Sequence, residues 1–184
     1  MTTFKDTSLA WAIVGTVFIT IIGSAMHFAF AWSGYWTPVA IFAAVNESIW
    51  EHLKLAFWPG LLWAAIEYLF PSRRRAGFWV IKAIALLVAP VLIVLLFKTY
   101  TGLLGRNILA MDIGTFVVAV AAGQFVSAAL WSRWQATSSG VRRLGHLCLA
   151  VQILAYSTLT YFPPQLGLFM ETRSGLYGIP PHPQ

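Results

Sequence analysis

Five apolar runs, each about as long as a bilayer crossing, constrain the fold of this chain more than any other feature. A helix needs roughly 20 consecutive apolar residues to cross the hydrocarbon core. Hydrophobic residues make up 59% of the chain and charged residues only 10%, which leaves too little polar surface for a soluble domain. We therefore predict an all-α integral membrane protein with a single transmembrane domain over residues 1–184. The five predicted spans are Leu9–Trp32, Pro38–Phe70, Phe78–Phe97, Ile108–Trp131 and Leu144–Phe162.

The second run is too long for one straight crossing. As a continuous helix its 33 residues would extend over roughly 50 Å. Pro38 is typical of the first position of a helix, and Pro59–Gly60 is expected to kink the helix or break it. We expect the segment after the kink either to lie along the cytoplasmic interface or to extend beyond the bilayer.

The basic residues outside the apolar runs orient the chain. They divide seven to three, and the richer side is predicted to be cytoplasmic because positively charged loops stay inside. The N-terminus is then cytoplasmic and the C-terminus outside. The first run is longer than the apolar part of a signal peptide, so no cleaved signal peptide is expected. The inner set is Lys5, Arg73, Arg74, Arg75, Arg133, Arg142 and Arg143; the outer set is Lys98, Arg106 and Arg173.

The segment VNESIWEHLK, Val45 to Lys54, places four ionisable side chains where a membrane helix is expected. On a helix, Glu47 and Glu51 share one face, and Lys54 is close enough to neutralise Glu51. The helical rise puts Glu47 roughly 14 Å and Glu51 roughly 20 Å below the outer surface. We therefore expect the whole segment to lie within one crossing.

Two further ionisable residues are expected in the outer half of the membrane. His27 in the first run and Asp112 in the fourth both lie roughly 7 Å below the outer surface. Such groups cost about 2.5–3.5 kcal/mol each in hydrocarbon, so they are expected to face one another. The sequence predicts an outward-facing intramembrane polar site made of His27, Glu47, Glu51, His52 and Asp112.

The residue types of this site suit a divalent metal. Imidazole and carboxylate groups are ligands of Zn²⁺, Fe²⁺ and Mn²⁺, although no HExxH, HxxxH or ExxH pattern occurs. In the alternative, the same groups are hydrogen-bonded and only fix the register of the helices. The candidate metal ligands are His27, Glu47, His52 and Asp112, and the candidate catalytic carboxylates are Glu47 and Glu51.

Three functions follow, and the sequence does not decide whether the protein is an enzyme. The first is a metal-dependent hydrolase in which an activated water attacks an ester or amide of a lipidic substrate. The second is a cation- or proton-coupled carrier that binds its ion at Glu47 and Glu51, and five spans would then require a homodimer. The third is a non-catalytic assembly or accessory protein whose polar cluster only joins helices. The expected partners are the lipid bilayer and a lipidic substrate or cation, and no nucleic-acid module is found.

Other charged residues have expected places too. Residues 163–184 keep several apolar side chains, so we predict an ordered outer tail that forms a lid over the site. Glu171 then either enters the site or remains a solvated turn residue. Glu67 is expected to pair at the cytoplasmic interface with the basic SRRR segment, and Lys82 to extend back to the cytoplasmic head groups.

The segment NESIWEHLKLAFWP, preceded by MHFAFAWSG and followed near the end by PPQLGLFMETRSGLYGI, resembles a family of small polytopic bacterial membrane proteins of unknown function. The family is marked by an NES-[VI]-WEHLK motif and by a C-terminal motif in which LF is followed by an acidic residue and then by G-x-YGI. The resemblance covers nearly the whole chain and implies a multi-pass protein of the bacterial cytoplasmic (inner) membrane. It implies no activity. It adds Asn46, Trp50, Lys54 and Glu171 as candidate substrate- or ion-binding residues.

Overall fold

The computed structural model describes residues 4–134 and 138–181, and this part of the chain is helical, without a named strand. Short 3₁₀ turns precede and follow the second helix, at Thr37–Ile41 and Pro71–Arg73. His182 in the tail lies outside the described residues. The five helices are α1 (Phe4–Trp32), α2 (Ile49–Leu69), α3 (Phe78–Leu104), α4 (Leu109–Arg133) and α5 (Ser139–Thr158).

Three of the helices are long and apolar enough to cross a membrane. They are α1 from Ser8 to Trp32, α3 and α4, and they are compatible with the membrane protein predicted above. The all-helical fold is therefore confirmed. The count of five spans and their orientation remain predictions, because α2 and α5 are not among the helices with this length and composition.

The second helix begins at Ile49, so the predicted helix start at Pro38 is wrong. Pro38 begins only a 3₁₀ turn, and residues 42–48 form a loop. Ser48 caps α2 instead: its hydroxyl accepts a hydrogen bond from the backbone N–H of Glu51, at 3.4 Å. A serine followed three residues later by a glutamate is a helix-start signature that competes with the proline signal. VNES is therefore loop, and only IWEHLK is helix.

Pro59 does not end the second helix. It is buried inside α2, and the helix continues past it to Leu69. α2 is thus a single helix of 21 residues, which spans roughly 30 Å. The kink predicted at Pro59–Gly60 stays a prediction.

Helices α1 to α4 pack in a ring in which α1 contacts α2 and α4, and α3 also contacts both of these. α5 packs against α3. Glycine allows a close approach of the α1 and α2 backbones, because a Cβ atom on Gly23 would lie 2.5 Å from the carbonyl oxygen of Leu55. No side chain fits at that separation, so the α1–α2 contact requires glycine here.

The C-terminal tail folds back onto the start of α2. The backbone N–H of Trp50 donates to Leu168 O at 3.0 Å, and the Asn46 side-chain amide donates to Gly178 O at 2.7 Å. The Phe169 ring stacks on the Trp50 indole with 4.6 Å between centroids. Asn46 and Trp50, both candidate binding residues, therefore hold the tail.

A buried ionic cluster joins α2 and α3 at the far end from this tail contact. Glu67 pairs with Arg73, whose Nε donates at 3.0 Å, and also with Lys82. The predicted pairing of Glu67 with the SRRR segment is confirmed, although the pair is buried. The expected extension of Lys82 to the lipid head groups is wrong, because Lys82 also donates to Ser127 at 3.0 Å and is buried. A buried acid on the neighbouring helix holds the lysine inside.

Candidate functional site

Glu51 and Lys54 form a closed ion pair and do not join the other site residues. Lys54 Nζ lies 2.6 Å from Glu51 Oε2, and the two side chains are 0% and 2% exposed respectively. Thr160 donates to Glu51 Oε1 at 2.8 Å and accepts from Lys54, which also donates to Ala40 O. The prediction that Lys54 neutralises Glu51 is confirmed. Because every charge here is matched, neither residue is available to a substrate or ion.

Three other candidates do converge. His27 lies near the C-terminal end of α1, Glu47 in the loop before α2, and His52 in the first turn of α2. His27 Nε2 is 3.8 Å from one Glu47 oxygen, and His52 Nε2 is 3.4 Å from the other. One ligand atom from each residue lies within 4.8 Å of the other two. The hairpin formed by α1 and α2 therefore brings two imidazoles to one carboxylate.

The orientation of His52 is fixed by the capping residue of its own helix. His52 Nδ1 lies 2.8 Å from the carbonyl oxygen of Ser48, and because a carbonyl oxygen only accepts, Nδ1 carries the proton. Nε2 is then directed at Glu47. A histidine held by its second nitrogen on a backbone carbonyl is the usual arrangement around metal-ligating imidazoles.

Glu47 is charged in this setting. The hydrogen bond to His52, and then the positive charge available on His52, His27 and Arg173, hold the pKa of Glu47 below its ordinary value, against partial burial, which raises it. The Glu47 side chain is 51% exposed, and the two imidazoles are about one-third exposed at 32% and 31%. The three groups therefore present accessible ligand atoms.

The spacing fits a metal ion. Tetrahedral bonds of about 2.1 Å place neighbouring ligand atoms roughly 3.4 Å apart. The separation of 3.4 Å between His52 Nε2 and Glu47 Oε2 equals that value, whereas His27 Nε2 lies 3.8 Å from the other Glu47 oxygen. All three ligand atoms lie within 4.8 Å of one another, so the side chains must move closer together to bind one ion. Two imidazoles and one carboxylate leave at least one coordination position for water or substrate.

The cluster opens into a cavity of about 660 Å³ inside the ring of α1 to α4. Most of the lining is apolar and comes from all four helices. The turn between α3 and α4 and the tail residues Thr172 and Arg173 complete it. The apolar lining includes Leu55, Ile93, Phe97, Ile113 and Phe116.

Asp112, the fourth candidate ligand, lines the same cavity without joining the three-residue cluster. It accepts hydrogen bonds from the Tyr100 hydroxyl and, at 3.5 Å, from the side-chain amide of Asn107. These two donors hold its carboxylate at the cavity wall.

Three cations line the cavity that were not among the predicted site residues: Lys98, Arg106 and Arg173. The only sequence signal for them was their shared place on the outer side in the charge count. Glu171, by contrast, accepts from the hydroxyl of Ser174 within the tail turn and does not line the cavity. The tail therefore contributes Arg173 to the cavity, and Glu171 stays in the tail turn, which was the second of the two places expected for it.

The comparisons with known proteins name a family without an activity. No curated protein and no solved structure matches the chain. One family model matches residues 1–179 and is described as a family of unknown function, DUF6512. The match does not test the two sequence motifs that suggested such a family, so these motifs stay a prediction. Because the match extends over nearly the whole sequence, the chain belongs to the family of unknown function DUF6512.

Proposed function

We propose that this protein is a metal-dependent hydrolase of the membrane, which binds a divalent metal at His27, Glu47 and His52 and cleaves an ester or amide of a lipidic substrate. The observation that carries the proposal is the directed geometry of His52: its Nδ1 is occupied by Ser48 O, and its Nε2 lies 3.4 Å from Glu47 inside a cavity. Zn²⁺, Fe²⁺ and Mn²⁺ all accept such a ligand set.

The chain's own residues divide the work. A divalent metal at this site would polarise the substrate carbonyl and make water more acidic. Water adds to the carbonyl carbon, and its proton passes to Asp112, the second carboxylate of the cavity. The carbon–oxygen or carbon–nitrogen bond then breaks, and Asp112 returns the proton to the leaving alcohol or amine. Tyr100 and Asn107 hold Asp112 in place for both transfers.

The other two functions are less well supported. The carrier needs Glu47 and Glu51 to bind an ion together, whereas Glu51 is closed off by Lys54 and Thr160. A cluster that only joins helices has no use for accessible ligand atoms, whereas the Glu47 side chain is 51% exposed and lines a cavity. Half-exposed groups around a cavity favour ligand binding.

Metal content tests the first step. The protein is purified in detergent, loaded with Zn²⁺, Fe²⁺ or Mn²⁺ in turn, desalted and analysed by elemental mass spectrometry. We expect about one equivalent of one metal, lost in His27→Ala and Glu47→Gln. The matched control is His146→Ala, which removes an exposed histidine of α5 and leaves the metal in place. Substoichiometric metal in the parent protein, equal in all variants, rejects the metal site.

Turnover tests the second step. The metal-loaded protein is reconstituted in vesicles, and hydrolysis of ester- and amide-linked lipids is followed by chromatography. Removing the metal with a chelator and substituting Asp112→Asn should each abolish product formation, while His146→Ala should not. Ion flux that depends on Glu47, without any hydrolysis, would favour the carrier instead.

We also propose that all five helices cross the bacterial cytoplasmic membrane, with the N-terminus inside and the C-terminus outside. The charged residues of α2 are paired within the protein, which removes their cost in the bilayer. α5 exposes Leu144, Leu147 and Leu154, each at least 60% exposed, which suits contact with lipid. Alkaline phosphatase fused after the last residue should be active, since that enzyme folds only outside. An inactive fusion would contradict the orientation.

A further inference from the structure

Three cationic side chains face the cavity and are not among the proposed metal ligands. Lys98 lies near the C-terminal end of α3, Arg106 in the α3–α4 turn and Arg173 in the tail turn. Among residues 4–134 and 138–181, no carboxylate lies within ion-pair distance of any of them. Three separate segments thus bring unpaired positive charge to one cavity.

The carboxylates of the cavity do not balance this charge. Glu47 is shared by His27 and His52, with a weaker contribution from the charge of Arg173, and Asp112 is held by Tyr100 and Asn107. Two carboxylates therefore stand against three cations even before a metal adds its own charge. A cavity lined by an excess of one charge attracts ligands of the other sign, and arginine and lysine bind phosphate and carboxylate groups strongly.

Most of the remaining lining is apolar, which a free anion would not use. Leu55, Ile93, Phe97, Ile113 and Phe116 cover the walls, and the volume of about 660 Å³ lies within the range of sites that enclose small organic ligands. We propose that the cavity binds a lipid with an anionic head group, whose charge lies at Lys98, Arg106 and Arg173 and whose chain lies along the apolar wall. This inference rests on the proposed function, because it names the class of lipid that the metal site acts on.

Binding of a labelled lipid tests the charge and the chain together. Fluorescence anisotropy of a short-chain fluorescent phosphatidic acid is measured with the purified protein in an uncharged detergent. Unlabelled short-chain phosphatidic acid should compete, whereas phosphatidylcholine and diacylglycerol of the same chain length should compete at least tenfold less well. Equal competition by phosphatidylcholine overturns the charge requirement, and equal competition by inorganic phosphate overturns the lipid requirement.

Single substitutions test the residues. Lys98→Gln and Arg106→Gln should each weaken binding roughly tenfold, the effect typical of losing one charged hydrogen bond. Lys98→Arg, which keeps the charge, should bind within about threefold of the parent protein. The matched control is Arg133→Gln at the end of α4, an exposed arginine outside the cavity, which should leave binding unchanged. Unchanged binding in both glutamine variants of the cavity, with unchanged thermal unfolding, rejects the site.

The metal can be separated from the lipid. We repeat the anisotropy measurement on chelator-treated protein and on His27→Ala, because Lys98 and Arg106 remain in both. Retained selective binding without metal supports the anionic-lipid site even where the metal content rejects the hydrolase. Stoichiometric metal together with unselective lipid binding supports the metal site and overturns the anionic-lipid site.

Discussion

Replacing Lys54 with methionine removes the cation that pairs with Glu51 and leaves a buried carboxylate. Glu51 is 2% exposed and keeps two donors, the N–H of Val45 at 3.1 Å and the hydroxyl of Thr160 at 2.8 Å. Those two bonds exist with and without the lysine, so they do not offset its loss. Breaking one partner out of a buried pair costs about 3–5 kcal/mol in free energy of unfolding. For a chain of this size, that lowers the melting temperature by roughly 10 °C.

The double variant Glu51→Gln/Lys54→Met separates the charge from the packing. Both charges are then absent, and the remaining loss is of ordinary hydrogen bonds to Ala40 and Thr160, about 1–2 kcal/mol. We expect the double variant to be more stable than Lys54→Met alone, as measured by thermal unfolding and by denaturant titration in mixed micelles. Arg133→Met, at an exposed position, is the control and should change stability little. Strictly additive losses, or a Lys54→Met protein as stable as the parent, would refute the reasoning.

Three further predictions concern packing, capping and acidity. Gly23→Ala should destabilise the protein by about 1–3 kcal/mol because the added Cβ would lie 2.5 Å from Leu55 O. Gly114 has open space around it, so Gly114→Ala should stabilise α4 by up to about 1 kcal/mol. Thermal unfolding distinguishes the two variants. Ser48→Ala removes the cap of α2 and should cost about 1 kcal/mol in unfolding free energy. It should not release metal, because His52 is held by the backbone carbonyl of Ser48; metal loss would contradict this. Titration of metal binding against pH should show affinity falling up to about 100-fold per unit in acid, because each imidazole must give up a proton to bind the metal. The hydrogen bond from His52 lowers the pKa of Glu47, so its carboxylate stays charged further into acid. A profile that is flat in weak acid would argue against histidine ligands.

The helices were predictable because long apolar runs leave a chain few alternatives. Depth estimates from helical rise also placed His27, Glu47 and Asp112 in the outer half of the membrane, and these three residues line one cavity in the structure. The predicted helical position of Glu47 was wrong. Glu47 lies in the loop before α2, and the antiparallel α1–α2 hairpin brings it to His27. The capping pair Ser48 and Glu51 is the sequence signal that indicates the observed start of α2 at Ile49.

Other features depend on contacts between distant segments, which no local pattern reports. Glu47 and Glu51 would share a helical face only if both were helical. Glu47 lies in the loop before α2, so it lines the cavity while Glu51 is buried in α2. Lys82 is held by an acid on another helix, and a lysine near a helix end gives no sign of that partner. Arg173 reaches the cavity because the tail folds back by hydrogen bonds from Trp50 and Asn46 to the backbone. A charge count assigns such residues to a side of the membrane and not to a site.

The ion pair of α2 also constrains the order in which the protein is made. Thr160, which bonds both Lys54 and Glu51, lies 106 and 109 residues further along the chain. At about 5–20 residues per second, the ribosome adds that threonine roughly 5–20 s after α2 has been synthesised. Until then the pair has only its local partners at Ala40 and Val45. The ion pair at the start of α2 thus gains its last hydrogen-bond partner only after α5 has been synthesised, and a nascent chain stalled before α5 would hold this pair without Thr160.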